Sequence, residues 1–209
     1  MGSIFIIGPA HPLRGGGIVS FNERLASAFQ ESGHACEIWS FSLQYPSFLF
    51  PGKTQFSSRP APKNLKIHSV INSINPFNWI RVGMAIRKKR PSLVVVRYWI
   101  PFMGPCLGTI LRIIKRKETK IICIADNAKP HEKRPGDRIF STYFFKSCDA
   151  FIAMSNTVET DLKSLVGNKP VQRTVHPLYD HFGNPVSKNS AREILGISPS
   201  EKVILFFGF

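Results

Sequence analysis

The sequence predicts an α/β fold, a Rossmann-like doubly wound parallel sheet. Short apolar runs typical of buried parallel strands alternate with segments of helical period along most of the chain. The first such pair is residues 3–8, a buried strand, followed by residues 18–33, which carry Phe21, Leu25 and Phe29 on one helical stripe. This alternation favours right-handed crossovers, which bring the carboxyl ends of the strands to one edge of the sheet.

The later elements follow from the same signals and from residues that begin and end helices. Strands are predicted over residues 34–43, 66–70, 92–97, 120–125, 150–154 and 171–175. Helices are predicted over residues 76–89, 101–117, 137–146, 156–165 and 191–195. Pro76 takes the first position of its helix, Ser155 and Ser187 are N-cap residues, and Gly196 ends the last helix.

The C-terminal residues have a pattern of their own. Residues 202–209 read as a buried strand, and the preceding residues from 176 onwards have the composition of a linker. We therefore predict a Rossmann-like domain over residues 1–175, an interdomain linker with a short helix over 176–201, and over 202–209 the first strand of a second domain that is missing from this chain.

The charge of the chain is strongly positive. Lysine and arginine total 28 against 13 acidic residues, a formal net charge of +15, and they concentrate at residues 81–90, 115–120 and 129–138. Solvated helix faces account for part of this excess, but its size favours an anionic partner, either a phosphorylated substrate or a membrane surface. No RNP-like strand, Cys/His finger spacing or helix-turn-helix is present, so we expect no nucleic-acid partner.

Other features of the sequence predict where the protein works. It has no apolar stretch of membrane-spanning length and no pattern typical of a signal peptide. The four cysteines are scattered, which is typical of reduced core thiols rather than a disulfide frame or a zinc site. We expect a cytoplasmic protein, peripheral at the inner face of the cytoplasmic membrane.

A glycine run lies between the first strand and the first helix. Gly15, Gly16 and Gly17 would let a phosphate or sugar approach backbone N–H groups next to the positive end of a helix dipole. One or two of them could instead serve only a tight turn. The pattern is neither the G-x-G-x-x-G dinucleotide fingerprint nor a P-loop, so it predicts a nucleotide or sugar-phosphate site without specifying which.

Polar residues gather where the other predicted strands end, the edge at which ligands bind in such sheets. Asp126 and Asn127 are either a turn-forming pair or ligands of an acceptor hydroxyl. Arg97 and Arg138 are candidates for holding an anionic acceptor group or a diphosphate, although Arg138 could equally be a helix-face charge.

An imidazole follows in the same region. His131 with Glu132 could orient an acceptor or transfer a proton, or the histidine could simply be a surface residue bonded to its neighbour. None of the histidines has metal-ligand spacing, so we expect no metal and no cofactor.

Several motifs in order resemble a known family. They are G-P-x-x-P-x-x-G-G-G from Gly8, F-x-x-x-L-x-x-x-F-x-x-x-G-H from Phe21, and residues 126–134, which resemble an H-N-x-x-P-H-E segment with Asp126 in place of the usual histidine. Residues 176–180, 191–197 and 205–208 resemble the crossing into a second domain. Together they resemble the N-terminal half of family-four glycosyltransferases of GT-B fold.

The resemblance implies a retaining enzyme that moves a sugar from a nucleotide-sugar donor to a polysaccharide or lipid-linked acceptor. In this family the C-terminal half holds most of the donor, so the present chain alone would be inactive. The glycine run would face the donor diphosphate. Asp126 and His131 would be catalytic, while Arg97, Asn127, Glu132 and Arg138 would bind the acceptor.

Two alternatives come from other classes of protein. One is a non-catalytic basic module that binds anions or a membrane. The other is a nucleotide-dependent sugar epimerase, which the missing dinucleotide fingerprint disfavours.

Overall fold

A seven-stranded sheet forms the centre of the protein in the computed structural model, which describes residues 2–14, 16–47, 54–58, 60–130, 134–177 and 183–206. The strands are β1 (Ile4–Ile7), β2 (Cys36–Leu43), β3 (Lys66–Asn72), β4 (Leu93–Tyr98), β5 (Lys120–Ala125), β6 (Ala150–Ala153) and β7 (Val171–Arg173). The helices are α1 (Gly17–Glu31), α2 (Pro76–Lys88), α3 (Gly104–Ile114), α4 (Asp137–Phe145), α5 (Asn156–Val166) and α6 (Lys188–Leu195).

Every pair of neighbouring strands is parallel, and the order β3-β2-β1-β4-β5-β6-β7 confirms the Rossmann-like doubly wound fold. Side chains of β1 alternate between two core clusters, because successive residues of a strand point to opposite faces. Ile4 and Ile6 pack with Ala26 of α1, whereas Phe5 and Ile7 belong to the cluster that α2–α5 cover. The strand order reverses between β1 and β4, which makes the loops after these strands the place for a ligand.

Helix α4 packs on the sheet beside this edge. The fully buried Tyr98 of β4 stacks on Phe144, with ring centroids 4.6 Å apart, and its hydroxyl lies 2.8 Å from Oγ of Ser141. At the other end of α4, Nζ of Lys169 donates to three carbonyl groups, those of Phe145, Lys146 and Cys148, at 3.0, 3.0 and 2.6 Å. Helix ends leave such carbonyls without intrahelical partners, so Lys169 satisfies them directly.

The predicted helix boundaries are confirmed at their caps. The side chain of Asn75 accepts a hydrogen bond from the backbone N–H of Asn78, ahead of Pro76 at the first helical position. The hydroxyls of Ser155 and Ser187 cap α5 and α6 in the same way, and Gly196 ends α6 with a left-handed φ of 67°.

The ends of several elements differ from the sequence prediction; α6, for example, begins at Lys188, three residues before its predicted start. Strand β3 continues to Asn72, because β2 keeps pairing with it through an irregular register up to Leu43. The helix predicted over 101–117 splits into a 3₁₀ turn (Pro101–Met103) and α3, which ends where Lys115 adopts an extended conformation. Strand β7 stops at Arg173, two residues early.

The chain divides into two compact units, Met1–His176 and Pro177–Phe209. The first holds the sheet and α1–α5, and the second holds α6. Residues 202–206 form no strand, in contrast to the sequence prediction; a strand needs a neighbour for its backbone hydrogen bonds, and no described residue pairs with them. Residues 207–209 lie outside the described part, and the assignment of this segment to a further domain stays a prediction.

A dense ionic cluster lies at the β2–β3 side of the sheet. Glu37 is bonded by Lys66 and His68, each at 2.8 Å, and by Lys89 at 3.1 Å. Burial alone would raise the pKa of Glu37, but the hydrogen bonds from these three side chains outweigh it and lower the pKa to about 2.

The four cysteines are free and buried, as predicted. Burial raises the pKa of Cys36 to about 11, and burial also raises the pKa of Cys106 and of Cys123. Within the described ranges, none of the helices has both the length and the apolar character needed to cross a bilayer.

Candidate functional site at the carboxyl edge of the sheet

The loop after β1 is held in place by three polar side chains. The hydroxyl of Ser40 accepts from the backbone N–H of Ala10 at 2.9 Å, and the side-chain amide of Asn22 donates to the carbonyl of Pro9 at 2.9 Å. The carboxylate of Glu23 accepts from the N–H of His11 at 2.8 Å. Ser40 and Asn22 are fully buried, so these bonds fix the loop that leads into the glycine run.

The glycine run lies at the start of α1. Gly16 is the N-cap residue and Gly17 the first helical residue, and both are exposed; Gly15 lies outside the described residues. The backbone of Gly16, with φ −154° and ψ 177°, is open to any residue, and a Cβ built there meets no protein atom within 4 Å. Neither backbone strain nor packing therefore explains a glycine at position 16.

A buried ion pair joins the ends of β4 and β5. Arg97 donates from Nε to Oδ2 of Asp126 at 2.7 Å and from Nη2 to Oδ1 at 2.5 Å, a bidentate arrangement. The side chain of Arg97 is 2% exposed and that of Asp126 is 20% exposed, so only the carboxylate reaches solvent. The two residues are close because Arg97 lies opposite Ile124 in the register of β4 and β5.

The guanidinium of Arg97 is enclosed by the first strand and helix. Its carbon lies 4.1 Å from the ring centroid of Phe21, a cation–π contact. A Cβ at Gly8 would meet Cβ of Arg97 at 3.1 Å and the amide nitrogen of Asn22 at 2.7 Å, so this glycine is required for packing. The third guanidinium nitrogen, Nη1, is buried without a hydrogen-bond partner in the described part of the chain. Nη1 is therefore a buried, charged hydrogen-bond donor that has no acceptor among the described residues.

Two adjoining pockets, each of about 470 Å³, lie along the segments that follow β4 and β5 and share Pro130, Arg134 and Asp137; neither Arg97 nor Asp126 lines them. Asn127 lines one of them together with Trp99 and the aromatic rings of α4 and the 3₁₀ turn. Arg138 lines the other. The size lies within the range of small-ligand sites, and the lining combines apolar rings with cations.

The predicted residues thus fall into separate groups. Arg97 and Asp126 form one unit, while Asn127 lines the first pocket. Arg138 is exposed on α4, and no described contact joins it to the ion pair. His131 and Glu132 lie outside the described residues. Among the residues that are described, no three His, Cys, Asp or Glu side chains come together as a metal site would need.

Sequence reasoning missed Asn22, Gly8 and the role of Phe21 in this site. Phe21 was assigned only to the apolar stripe of α1. The signal for Asn22 is its spacing: it lies three residues after Val19 and four before Ala26, the two apolar residues of α1 that are buried with it. Gly8 was read as a strand end, because its close approach to β4 depends on a contact 89 residues away along the chain.

The fold is that of the N-terminal half of a GT-B protein. Residues 15–180 match the model of Glycosyltransferase Family 4, and the chain belongs to this family. A search of curated proteins found no match.

Solved structures of similar fold include the UDP-GlcNAc 2-epimerase of Methanocaldococcus jannaschii, with 10% identity and a TM-score of 0.50, covering 83% of this chain and 45% of the epimerase chain. MurG of Acinetobacter baumannii has 12% identity and a TM-score of 0.46, with 75% and 42% of the two chains covered. Sucrose-phosphate synthase of Thermosynechococcus elongatus has 10% identity and a TM-score of 0.47, with 93% and 96% covered. The chain spans less than half of the epimerase and MurG chains, and at these identities the likeness is one of fold alone.

Proposed function

We propose that this chain is the acceptor-side half of a retaining glycosyltransferase, which moves a sugar from a nucleotide-sugar donor to a polysaccharide or lipid-linked acceptor. The observation that carries the proposal is the buried Arg97–Asp126 pair at the carboxyl edge of the sheet, in a chain that belongs to Glycosyltransferase Family 4. The fold alone would not separate transfer from epimerisation, since the similar structures include an epimerase.

The proposed role of Asp126 is to orient the acceptor. Each carboxylate oxygen has a lone pair left after bonding Arg97, and the side chain is partly open to solvent, so it can accept a hydrogen bond from an acceptor hydroxyl. Arg97 does not touch the substrate in this arrangement; it immobilises the carboxylate. The acceptor oxygen then bonds to the anomeric carbon on the face that the diphosphate leaves, and the hydroxyl proton departs with the nucleoside diphosphate.

The glycine run is proposed to face the donor diphosphate. Gly16 and Gly17 at the start of α1 are exposed residues, and the space in front of Gly16 is open. An anion there gains from the helix dipole as well as from hydrogen bonds. Asn127, Arg138 and the two pockets would contact the acceptor, whose phosphate or diphosphate group explains the cationic lining. The roles of His131 and Glu132, and transfer without a metal, stay predictions.

The test is release of nucleoside diphosphate from UDP-, GDP- and ADP-sugars in the presence of polyprenyl-linked acceptors. It is run on the full reading frame that contains this chain and on the 209-residue chain alone. We expect turnover from the first, unchanged by EDTA, and none from the second. Turnover by the 209-residue chain would contradict the proposed division of labour, and a product with inverted anomeric configuration by NMR would contradict retention.

A glycine variant separates ligand approach from folding. Gly16→Ala adds a methyl group to open space, so the free energy of unfolding should change by less than about 1 kcal/mol. If the diphosphate approaches this backbone, the KM for the donor should rise about tenfold or more, equivalent to about 1.4 kcal/mol of lost binding. An unchanged KM would remove the glycine run from the donor site.

We also propose that the acceptor is met at an anionic membrane surface on the cytoplasmic side. What favours this is the charge of helices α2, α3 and α4, which contain five basic residues and one acidic residue beside exposed apolar side chains. The same observation is what the non-catalytic alternative, a basic membrane-binding module, would rest on.

A further inference from the structure

Helices α2, α3 and α4 lie side by side and share one outward surface. α2 approaches α3 closely, because a Cβ at Gly83 would meet Ile113 at 2.9 Å. α3 approaches α4 in the same manner at Gly108, where a Cβ would meet the ring of Tyr143 at 2.7 Å. Helices in one layer over a sheet turn their solvent sides in the same direction, so the exposed residues of all three belong to a single helical face.

Large apolar side chains are exposed on this helical face. Phe77 of α2 is 84% exposed and Ile139 of α4 is 72% exposed, and Ile80, Met84 and Tyr143 are also exposed. Single exposed apolar residues are common on soluble domains, but several on adjoining helices mark an interaction surface.

Cations surround these apolar side chains. The exposed basic residues of the three helices and their last turns are Arg81, Arg87, Lys88, Arg112, Arg138 and Lys146. Asp137 is the only acidic residue in α2, α3 and α4, and its carboxylate accepts the backbone N–H of Arg134 at the start of α4. The guanidinium carbon of Arg112 lies 3.6 Å from the ring centroid of Tyr143, a cation–π contact at the surface.

We propose that the helical face formed by α2, α3 and α4 docks on an anionic lipid bilayer. Phe77, Ile80, Met84 and Ile139 enter the headgroup region while the surrounding lysines and arginines contact lipid phosphates. Charge complementarity selects an anionic partner. The protruding aliphatic and aromatic side chains favour lipid over nucleic acid, which would be met by cations and by rings placed to stack on bases.

Lipid docking by the helical face rests on the membrane partner of the proposed function, but it concerns membrane binding and not sugar transfer. Its test contains no nucleotide sugar, so the two can fail separately. Loss of vesicle binding would leave a transferase acting on a soluble glycan, and an inactive protein that still binds vesicles would be the non-catalytic module.

The experiment is co-sedimentation of the full 209-residue chain with vesicles at low ionic strength. Vesicles of phosphatidylcholine with about 30% phosphatidylglycerol, which is anionic, are compared with vesicles of pure phosphatidylcholine, which carry no net charge. We expect binding to the anionic vesicles that is lost at about 0.5 M salt, where the Debye length is only a few ångströms. Equal binding to both kinds of vesicle would contradict the role of the cations.

Two double variants probe the helical face and a third is the control. Arg81→Gln with Lys146→Gln should weaken binding about 30-fold, at roughly fivefold for each cation near the surface. Lys63→Gln with Arg24→Gln removes the same charge from exposed positions outside the helical face, Arg24 lying on α1, so it should weaken binding far less. Phe77→Ser with Ile139→Ser should lower the bound fraction at unchanged charge, and since both side chains are exposed the fold should be unaffected.

The outcomes distinguish lipid docking by the helical face from attraction by net charge alone and from nucleic-acid binding. Equal losses from the two Gln pairs would show that only net charge matters and would overturn the proposal. No loss from the Ser pair would show that the apolar side chains do not enter the bilayer, with the same consequence. Displacement of the protein from vesicles by single-stranded RNA at equimolar phosphate would assign the face to nucleic acid instead.

Discussion

Removing Asp126 should destabilise the fold more than removing its partner Arg97. In Asp126→Leu a guanidinium that is 2% exposed is left with no acceptor for any of its nitrogens, since Nη1 already has none. Loss of one partner from a buried pair typically costs about 3–5 kcal/mol. In Arg97→Leu the carboxylate that remains is 20% exposed and can be hydrated, so we expect a smaller loss of about 1–3 kcal/mol, part of it from the cation–π contact with Phe21.

The double variant completes a thermodynamic cycle. With both residues replaced by leucine no buried charge is left, so the total loss should be smaller than the sum of the single losses by about 1–3 kcal/mol. The measurement is urea unfolding followed by tryptophan fluorescence and by far-UV circular dichroism. A matched control is Arg24 with Glu31, an ion pair exposed by 42% and 64%, where each replacement should cost less than about 1 kcal/mol.

The order of the two single losses in the free energy of unfolding tests whether burial of the guanidinium is the dominant effect. If Arg97→Leu proved as costly as Asp126→Leu or costlier, burial of the guanidinium would not be the dominant effect. If the two losses simply added, the pair would not act as a unit, and Arg97 could not be the residue that immobilises Asp126.

Three further predictions concern features outside the site. Because the pKa of Glu37 is lowered from 4.5 to about 2, the unfolded chain binds a proton there before the folded one does; the stabilisation is complete above about pH 5 and is lost as the pH falls towards 2. Glu37→Gln should therefore lose the steepest part of this acid dependence in urea titrations between pH 2 and 5, and an unaltered profile would assign the dependence to other groups. Native protein should leave all four cysteines unreactive towards Ellman's reagent at pH 8, whereas denatured protein should react with four equivalents; rapid labelling of the native state would contradict their burial. Lys169→Met should cost about 1–3 kcal/mol, because the carbonyls of Phe145, Lys146 and Cys148 each lose a hydrogen bond. Lys163→Met, which removes only an exposed pair with Glu159, should cost less than about 0.5 kcal/mol, and similar losses from both would refute the capping role.

The fold could be predicted because its signals are local. Pro76 and the caps at Asn75, Ser155 and Ser187 act within one helical turn, and the apolar run of β5 sets both of its ends. Where a boundary depends on a distant partner the prediction shifts, as for β3, whose last residues form a strand only because β2 continues beside them. The same reason explains residues 202–206, which have a strand pattern and no strand to pair with.

The site could be predicted as a location but not as a set of contacts. Parallel strands bring Arg97 and Asp126 to one edge, and the sequence gives both residue types; their bidentate pairing depends on the register of β4 against β5, which the sequence does not state. For this reason Arg97 was expected to hold a substrate anion, whereas two of its nitrogens already hold Asp126. The enclosure of the Arg97 side chain by Phe21 and Gly8, next to Asn22, could not be predicted, because it depends on how α1 packs on the sheet. The burial of the third nitrogen follows from the same packing.

The partly exposed carboxylate of Asp126 makes the melting temperature of this protein a measure of ligand binding at the carboxyl edge of the sheet. A ligand that binds there only to the folded chain adds its binding free energy to the free energy of unfolding. A ligand present at about 100 times its dissociation constant would raise that free energy by about 2.7 kcal/mol, enough to shift a thermal transition by several degrees. Nucleoside diphosphates, sugar phosphates and glycans could therefore be sorted by calorimetry before any turnover is measured, with Asp126→Asn as the variant in which the shift caused by an acceptor glycan should shrink.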